Sequence, residues 1–391
     1  MTLFDFAPYL SAVLSVPTKN ISVQPLDGGL TNFTVRATFT PPASLSQFSQ
    51  SRHLSSVVLK YAPPFVAADP SQSRSVHRQV VEAQALALLS GGSIATISEV
   101  LSRFPTIRIP KLIHHDTEQN VLWMTDLEDT LTLSRYLATN PPSSTVERIA
   151  AQLGEFLSEF FSATSDPSDD SLPPVGAHTE ETYSFLASVT KKILARAGNA
   201  EAERLAKRVS EGLKSIGTVE PCLGMVDLWP GSILIDSRGD CGLVDWEYFG
   251  RSTASSELGM LGTVISLDFI IWFADEGEVA HLHLILLKSQ TSAHESTWSF
   301  TTLFLESYFK RSVAPSLYFK RQVLLAYGRE LVNNVEFSAS ELDEPSKQRA
   351  LHLGIRSLTA AGNSENELDY SVFEEPDDAL NRHIISMLHA K

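Results

Sequence analysis

The chain has 391 residues, more than a single hydrophobic core usually supports, so we expect two domains. Hydrophobic residues make up 43% of the chain and charged residues 20%, which is typical of a soluble globular protein. The net charge of −15 argues against a nucleic-acid partner, because phosphate backbones are bound by an excess of Lys and Arg. The same charge is compatible with a cationic small molecule, and equally with a role in solubility alone.

Three features bear on the cell compartment. The two cysteines, Cys222 and Cys241, are too few for a disulfide framework. The apolar segment 1–17 lacks the basic start of a secretory signal, which favours a short amphipathic helix. The apolar run 258–274 is shorter than the about 20 residues of a membrane span and contains an aspartate, so we expect a buried helix there. These features predict a cytoplasmic protein with no membrane partner.

The first third of the chain favours strands. Residues 21–26 and 33–37 alternate between apolar and polar side chains on either side of a Gly-Gly turn. A polar stretch rich in Ser and Pro, residues 40–55, is expected to be an exposed loop. Residues 56–61 then predict a short buried strand. A helix over 75–89 and strands over 107–114 and 120–125 complete this part of the chain.

From residue 128 onward the pattern is mostly helical. The run Ser144-Thr-Val-Glu147 is a capping box that predicts the start of a helix. The apolar stripe of this helix consists of Val146, Ile149, Leu153, Phe156, Leu157, Phe160 and Phe161. A polar linker at 166–172 precedes two further predicted helices, over 179–196 and 200–215.

A segment of β character, residues 224–249, interrupts the helices. The turn residues 237–240 lie between the apolar runs 233–235 and 242–244, which predicts a hairpin. If its centre falls between Arg238 and Gly239, Asp245 lies opposite Ser232, with Cβ atoms about 4.5–5.5 Å apart.

This hairpin would place several oxygen atoms close together. Asp245 and Ser232 at its open end are potential ligands of a magnesium ion, and Asp227 in the preceding loop is a potential base for an attacking hydroxyl. Taken alone, the segment is explained equally well as an ordinary hairpin whose aspartates cap turns.

The segment resembles the catalytic block of the aminoglycoside phosphotransferase and choline kinase-like superfamily. That block usually has the sequence His-Gly-Asp-Leu-His-Pro-Gly-Asn, followed by a hairpin and Asp-Trp-Glu. This chain has Met225-Val-Asp-Leu-Trp-Pro-Gly-Ser232, a hairpin, and Asp245-Trp-Glu247. The resemblance implies that Asp227 is the catalytic base, that Asp245 is the main magnesium ligand, and that Ser232 occupies the magnesium position of the asparagine. It is closest to the methylthioribose kinase-like and fungal hydroxytryptamine (psilocybin) kinase branch.

The resemblance extends to the start of the chain. Residues 27–36 are similar to the glycine-rich loop of these kinases, where Gly28, Gly29 and Asn32 would lie against the phosphates of ATP. On their own, Gly28 and Gly29 are equally typical of a plain hairpin turn.

Two further nucleotide-binding elements follow in the order of the family. Lys60 resembles the strand lysine that binds the α- and β-phosphates, and Glu82 matches the helix glutamate that pairs with it. Residues 124–127, with Met124 and Asp126, resemble the hinge whose backbone binds adenine. Taken singly, Lys60 and Glu82 would be solvated surface charges.

The resemblance implies an α+β, two-lobed protein-kinase-like fold. Residues 1–127 would form a small β-rich N-terminal lobe and residues 128–391 a larger helical lobe, with ATP and magnesium between them. The acceptor, a small-molecule alcohol that is compatible with a positive charge, would bind to the helices after Glu247. The implied activity is an ATP-dependent phosphotransferase.

Several residues depart from the family pattern. Met225 and Val226 replace His and Gly, and Glu257 stands where many relatives have Asp, which keeps the charge. Ser232 replaces the metal-binding asparagine with a shorter neutral hydroxyl. This last change leaves open an alternative, a catalytically impaired pseudokinase that acts as a nucleotide- or ligand-binding module.

Overall fold

The fold is described from a computed structural model. It describes residues 4–26, 29, 31–45, 48, 53–91, 94–165, 177–261, 293–310, 316–337, 344–362 and 368. The chain forms two compact units, one of Met1–Ser98 with Arg108–Asp129 and one of Glu99–Ile107 with Thr130–Lys391. The predicted division at residues 1–127 and 128–391 stays a prediction.

The first unit contains a five-stranded antiparallel sheet with the order β1-β2-β3-β8-β7. These strands are β1 (Ile21–Pro25), β2 (Phe33–Ser44), β3 (His53–Tyr61), β7 (Leu112–Asp116) and β8 (Val121–Met124). The predicted alternation is confirmed, since Val35 and Ala37 of β2 and Val57 and Leu59 of β3 are buried on alternate positions.

Helix α1 (Phe6–Leu14) covers the core of this sheet. Its buried residues Phe6, Leu10 and Leu14 recur at helical spacing, which confirms the predicted amphipathic helix. The Tyr9 hydroxyl donates to Asp116 Oδ2 at 2.9 Å and accepts from Trp123 Nε1 at 3.0 Å. These two bonds tie the helix to the sheet.

The loop predicted over residues 40–55 is wrong at both ends. Strand β2 continues to Ser44 and β3 already begins at His53. The physical reason is that Ala43 and Leu45 are buried apolar residues within a stretch otherwise rich in Ser and Pro, so the strand gains core contacts by continuing.

The helix predicted over 75–89 is confirmed as α2 (His77–Gly91). The sequence did not predict the short hairpin of β4 (Phe65–Val66) and β5 (Asp69–Ser73), or helix α3 (Ala95–Arg103).

The second unit is largely helical. Its helices are α4 (Leu133–Ala138), α5 (Ser143–Ala163), α6 (Ala177–Arg196), α7 (Ala202–Ser215), α8 (Ala254–Met260), α9 (Ala293–Phe309), α10 (Leu317–Phe337) and α11 (Glu344–Ala360). The predicted apolar stripe of α5 is buried along its whole length, but the capping box is wrong. The helix starts at Ser143, directly after Pro142, and no side chain caps it. Helices α6 and α7 confirm two further predictions, while the linker at 166–172 lies outside the described residues.

Short strands position the segment that contains Asp227 and Asp245. Strand β10 (Pro221–Gly224) pairs with β13 (Gly250–Thr253), and β11 (Ile233–Asp236) pairs with β12 (Cys241–Leu243). The latter two lie in a four-stranded sheet with the order β6-β12-β11-β9, where β6 is Ile107–Arg108 and β9 is Thr130–Thr132. A β-rich N-terminal sheet followed by a helical part confirms the predicted α+β fold class.

In the described part of the chain, no single helix is both long and apolar enough to cross a membrane. Helices α2 and α3 meet that test only when they are counted together as a bent pair. Of the apolar run at 258–274, only residues up to 261 are described, and these are buried.

Candidate active site

Lys60 and Glu82 form a buried ion pair in the first unit. Lys60 Nζ lies 2.8 Å from Glu82 Oε2, and the two residues are only 7% and 2% exposed. Gln79 of α2 also donates to the carbonyl oxygen of Lys60 at 2.7 Å. The structure therefore brings these two predicted residues together, and their interpretation as solvated surface charges is wrong.

The glycine-rich segment is anchored by an arginine that the sequence did not single out. Arg78 is fully buried and its Nε donates to Asn32 Oδ1 at 3.0 Å. Its Nη2 donates to the carbonyl oxygens of Thr31 (3.0 Å) and Pro63 (2.9 Å). The Asn32 side chain is therefore held in place by Arg78. Gly29 lies close to the backbone carbonyl group of Asn32, where a side chain would be crowded. Gly28 lies outside the described residues.

The predicted hinge follows strand β8. Met124, the last residue of the strand, is buried, and Asp126 pairs with Arg36 of β2. The two guanidinium–carboxylate distances are 2.7 Å (Nε–Oδ2) and 3.0 Å (Nη2–Oδ1), the bidentate geometry of a strong pair. Asp126 Oδ1 also accepts from the Glu128 backbone at 2.9 Å. The Asp126 side chain therefore fixes the shape of the hinge.

In the second unit the predicted hairpin is present, but its predicted register is wrong by one residue. Ile233 pairs with Leu243, and Val244 N donates to the carbonyl oxygen of Ser232 at 2.9 Å, so Ser232 lies opposite Val244. The reason is the loop at the tip, which has three residues rather than two. Gly239 adopts a φ of 80°, as such loops require. Asp236 accepts from the backbone N–H of both Arg238 and Asp240 at 2.9 Å.

The Ser232 hydroxyl closes the loop before the hairpin. It donates to the carbonyl oxygen of Trp229 at 2.7 Å and accepts from the Trp229 backbone N–H at 3.0 Å. Ser232 is fully buried. Its role as a metal ligand stays a prediction, and binding a metal would compete with these two bonds.

Glu257 of α8 holds the loop that presents Asp227. Its carboxylate accepts from the backbone N–H of Met225 (3.1 Å) and Val226 (2.8 Å), and from the Ser252 hydroxyl. Val226 adopts a φ of 65°, a left-handed conformation that favours glycine, which explains why the family has Gly at this position. The strain is tolerated because Glu257 fixes the N–H group of Val226 and that of the preceding residue, Met225.

Gly224 makes room for the longer side chain of Glu257. A Cβ atom at residue 224 would collide with the Glu257 carboxylate. The Glu257 carboxylate can therefore reach the N–H groups of Met225 and Val226 because Gly224 has no side chain.

Asp227 lies in a strongly negative environment. Burial and the charges of Asp245, Glu330 and Glu247 together raise its pKa to about 8, while Arg329 acts in the opposite direction. Burial also raises the pKa of Glu257 to about 7, against its hydrogen bonds, which lower it. A carboxylate poised near neutral pH is typical of an acid–base catalyst.

Asp245 follows the hairpin in a left-handed conformation, with a φ of 74°. The next residue, Trp246, is buried and donates through Nε1 to the carbonyl oxygen of Leu243 at 3.0 Å, which anchors the turn. Among the described residues no cluster of three or more His, Cys, Asp or Glu side chains has metal-site geometry. A single carboxylate fits magnesium, which proteins usually bind through one or two carboxylates together with substrate phosphates.

Three parts of the site escaped sequence analysis. They are the Arg78 anchor, the loop contacts of Glu257, and the buried Arg329–Glu330 pair of α10, with 2.6 Å between Nη2 and Oε1. Only Glu257 carried a signal, namely the retained charge in a segment that resembles the family.

Comparison with known families gives a match that covers most of the candidate site residues. The model of the phosphotransferase enzyme family (APH) matches residues 50–288, more than half of the chain. This match confirms the resemblance predicted from the catalytic block.

Curated relatives include two fungal enzymes. The 4-hydroxytryptamine kinase of Psilocybe cubensis is 27% identical over 268 residues, covering 64% of this chain and 69% of the relative. The 4-hydroxytryptamine kinase of Psilocybe cyanescens is 26% identical over 266 residues, with the same coverage.

Similar solved structures have much lower identity. The gentamicin complex of APH(2")-IIa is 12% identical with a TM-score of 0.49, covering 92% of this chain and 97% of that one. A choline/ethanolamine kinase family protein from Mesorhizobium loti is 13% identical with a TM-score of 0.45, covering 98% and 97%.

Proposed function

Because the chain belongs to the phosphotransferase enzyme family (APH), we propose that it is a small-molecule kinase that transfers the γ-phosphoryl group of ATP to a hydroxyl group. The observation that carries the proposal is the arrangement around Asp227. Glu257 fixes the backbone of its loop, and the charge of Asp245 acts on its carboxylate.

The nucleotide-binding groups of the proposal lie in the first unit. Lys60, oriented by Glu82, binds the α- and β-phosphates as a point charge. Gly28, Gly29 and Asn32 bind along the phosphates, and Arg78 fixes the Asn32 side chain and the Thr31 carbonyl group. The backbone of the hinge at Met124 and Asp126 binds adenine.

The reacting groups lie in the second unit. Asp227 orients the acceptor hydroxyl and takes its proton as the new oxygen–phosphorus bond forms. The bond between the γ-phosphorus and the oxygen that bridges it to the β-phosphate breaks, and ADP leaves with that electron pair. Asp245, with Ser232 as the predicted second ligand, holds magnesium, which when bound neutralises charge on the phosphate oxygens.

The substrate class follows from charge and from the relatives. The two curated relatives are 4-hydroxytryptamine kinases, which suggests an aromatic amino alcohol for this chain. The net charge of −15 and the carboxylates around Asp227 favour a cation over an anion. A cytoplasmic location stays a prediction.

ADP release tests the proposal on the full chain. With magnesium and ATP, we expect turnover with at least one member of a panel of 4-hydroxytryptamine, choline, ethanolamine, methylthioribose and an aminoglycoside. Nucleotide binding by thermal shift without turnover on any of these alcohols would instead support the pseudokinase, for which Ser232 is the motivating feature. Absence of both nucleotide binding and turnover would contradict the proposal.

A further inference from the structure

Tyr183 of α6 carries a buried polar group. Its hydroxyl oxygen is buried and makes no hydrogen bond within the described part of the chain. A buried hydroxyl without a partner destabilises a protein, so it calls for a functional explanation.

Hydrogen bonds between α6 and α10 show where Tyr183 lies. Asn333 of α10 accepts from the Thr190 hydroxyl at 2.8 Å and donates to the carbonyl oxygen of Leu186 at 3.2 Å. Tyr183 is three residues before Leu186, and Glu330 is three residues before Asn333. Residues three apart share a helix face, so both belong to the faces that these bonds join.

Glu330 is held in place next to the catalytic loop. Arg329 pairs with it at 2.6 Å (Nη2–Oε1) and also donates to Met260 Sδ at 2.5 Å. Met260 ends α8, the helix whose Glu257 binds the loop before Asp227. Glu330 is therefore a fixed negative charge connected to the catalytic loop through α8.

The surrounding charges define what could bind here. Asp245, Glu247 and Glu330 act on Asp227 as negative charges, and Arg329 is the opposing cation. Burial and the charges of Glu257 and Asp227 raise the pKa of Tyr183 against the opposing charge of Arg329, so its hydroxyl stays neutral. The oxygen can accept a hydrogen bond from a cationic donor, whereas an anionic ligand would be repelled.

We propose that the Tyr183 hydroxyl and the Glu330 carboxylate bind the protonated amine of an amino-alcohol substrate, close to Asp227. This inference rests on the proposed function, since the amine would anchor the molecule whose hydroxyl reacts. It assigns Tyr183 and Glu330 as specificity-determining residues, which prefer an ammonium group to a neutral group of the same shape.

The test measures binding, so it does not depend on turnover. Calorimetric titration of the full chain with tryptamine and with N-acetyltryptamine compares a cation with its uncharged counterpart. We expect tryptamine to bind at least about tenfold more tightly, a ratio that corresponds to about 1.4 kcal/mol. In Tyr183→Phe and Glu330→Gln this ratio should fall towards one.

A second readout separates a ligand role from a structural one. Tyr183→Phe removes an unpartnered hydroxyl, so its melting temperature should stay unchanged or rise. The matched control is Tyr318→Phe, because the Tyr318 hydroxyl donates to Ser215 Oγ at 3.0 Å. The control should lower the melting temperature and leave the tryptamine preference intact.

Three results would overturn the inference. They are equal binding of the charged and neutral probes to the wild type, no binding of tryptamine, and an unchanged preference in Tyr183→Phe. Turnover in the alcohol panel combined with any of these would leave the kinase proposal standing and remove only the amine site.

Discussion

Asp227, the proposed catalytic base, lies in an environment that disfavours its negative charge. Burial and three neighbouring carboxylates raise its pKa from 3.8 to about 8. An acid whose pKa is higher in the folded state stabilises the fold below its unfolded pKa, and this stabilisation is lost as the pH rises through the folded value. Asp227 should therefore make the protein progressively less stable between about pH 4 and pH 8.

Replacing Asp227 with Asn removes this charge. We expect Asp227→Asn to be more stable than the wild type at pH 8, by on the order of 1–2 kcal/mol after allowance for solvent screening, with little difference at pH 4. Turnover should fall by about 10²–10⁴-fold, because the amide cannot accept the proton. Urea unfolding at both pH values measures the difference in the free energy of unfolding, with the exposed Asp5→Asn as control. Equal pH dependence in Asp227→Asn and the wild type would contradict the assignment.

The Glu257 carboxylate occupies the space that a side chain at residue 224 would need. Gly224→Ala should displace the Glu257 carboxylate from the N–H groups of Met225 and Val226. We expect a loss of about 1–3 kcal/mol in the free energy of unfolding and a lower kcat with little change in KM for ATP.

A double-mutant cycle tests this coupling. Glu257→Asp shortens the side chain and makes room for the new methyl group, so Gly224→Ala should cost less in that background. Strict additivity of the two changes would show that the steric match does not position the loop.

At the scale of elements, the buried Lys60–Glu82 ion pair connects strand β3 to helix α2. Lys60→Met leaves Glu82 as a buried charge without its cation, and we expect a loss of about 3–5 kcal/mol together with loss of ATP binding. The double variant Lys60→Met with Glu82→Gln should recover much of the stability without recovering ATP binding.

An exposed pair provides the control for this change. Lys207→Met breaks the 3.8 Å pair with Glu211 on the surface of α7 and should cost less than about 1 kcal/mol. Thermal unfolding with and without ATP separates the two effects. Full stability in Lys60→Met would contradict the buried pair.

The loop before the hairpin depends on Ser232. Ser232→Ala removes the hydroxyl that bonds to the Trp229 N–H and carbonyl groups, while the backbone bond from Ser232 N to the Trp229 carbonyl oxygen at 2.8 Å remains. We therefore expect a loss of about 1–3 kcal/mol in the free energy of unfolding. If Ser232 also binds magnesium, the magnesium concentration for half-maximal activity should rise several-fold. Ser237→Ala, in the exposed tip of the hairpin, is the control. A destabilised variant with an unchanged magnesium midpoint would exclude Ser232 from the metal site.

The elements differ in how far the sequence predicts them. Strand β3, helix α2 and the stripe of α5 follow from periodicity, because each has buried residues at the spacing of its secondary structure. In β1 the same alternation shows only as half-buried and exposed residues. The register of the β11–β12 hairpin could not be predicted, since it depends on the Asp236 side chain capping two N–H groups of a three-residue loop. The short strands β4 and β5 lack a strong period, whereas helix α3 buries Ile97 and Val100 at helical spacing, a signal that the sequence analysis did not use.

The residues of the candidate site also differ in how far the sequence predicts them. Lys60, Asp227 and Asp245 are recognisable by their motifs. The partners that orient them are distant in sequence, as with Arg78 and Asn32, which are 46 positions apart. Such contacts follow from tertiary packing, which local patterns do not record.

At the scale of the whole molecule, the central claim is that the chain is a kinase whose chemistry depends on Asp227. The most direct test is phosphoryl transfer from γ-labelled ATP to 4-hydroxytryptamine and the other alcohols of the panel, with the product identified by mass spectrometry. We expect the wild type to form a phosphorylated alcohol in a magnesium-dependent reaction, and Asp227→Asn to bind nucleotide but form almost none. Failure of the wild type to label any of these alcohols, or equal product formation by Asp227→Asn, would contradict the account.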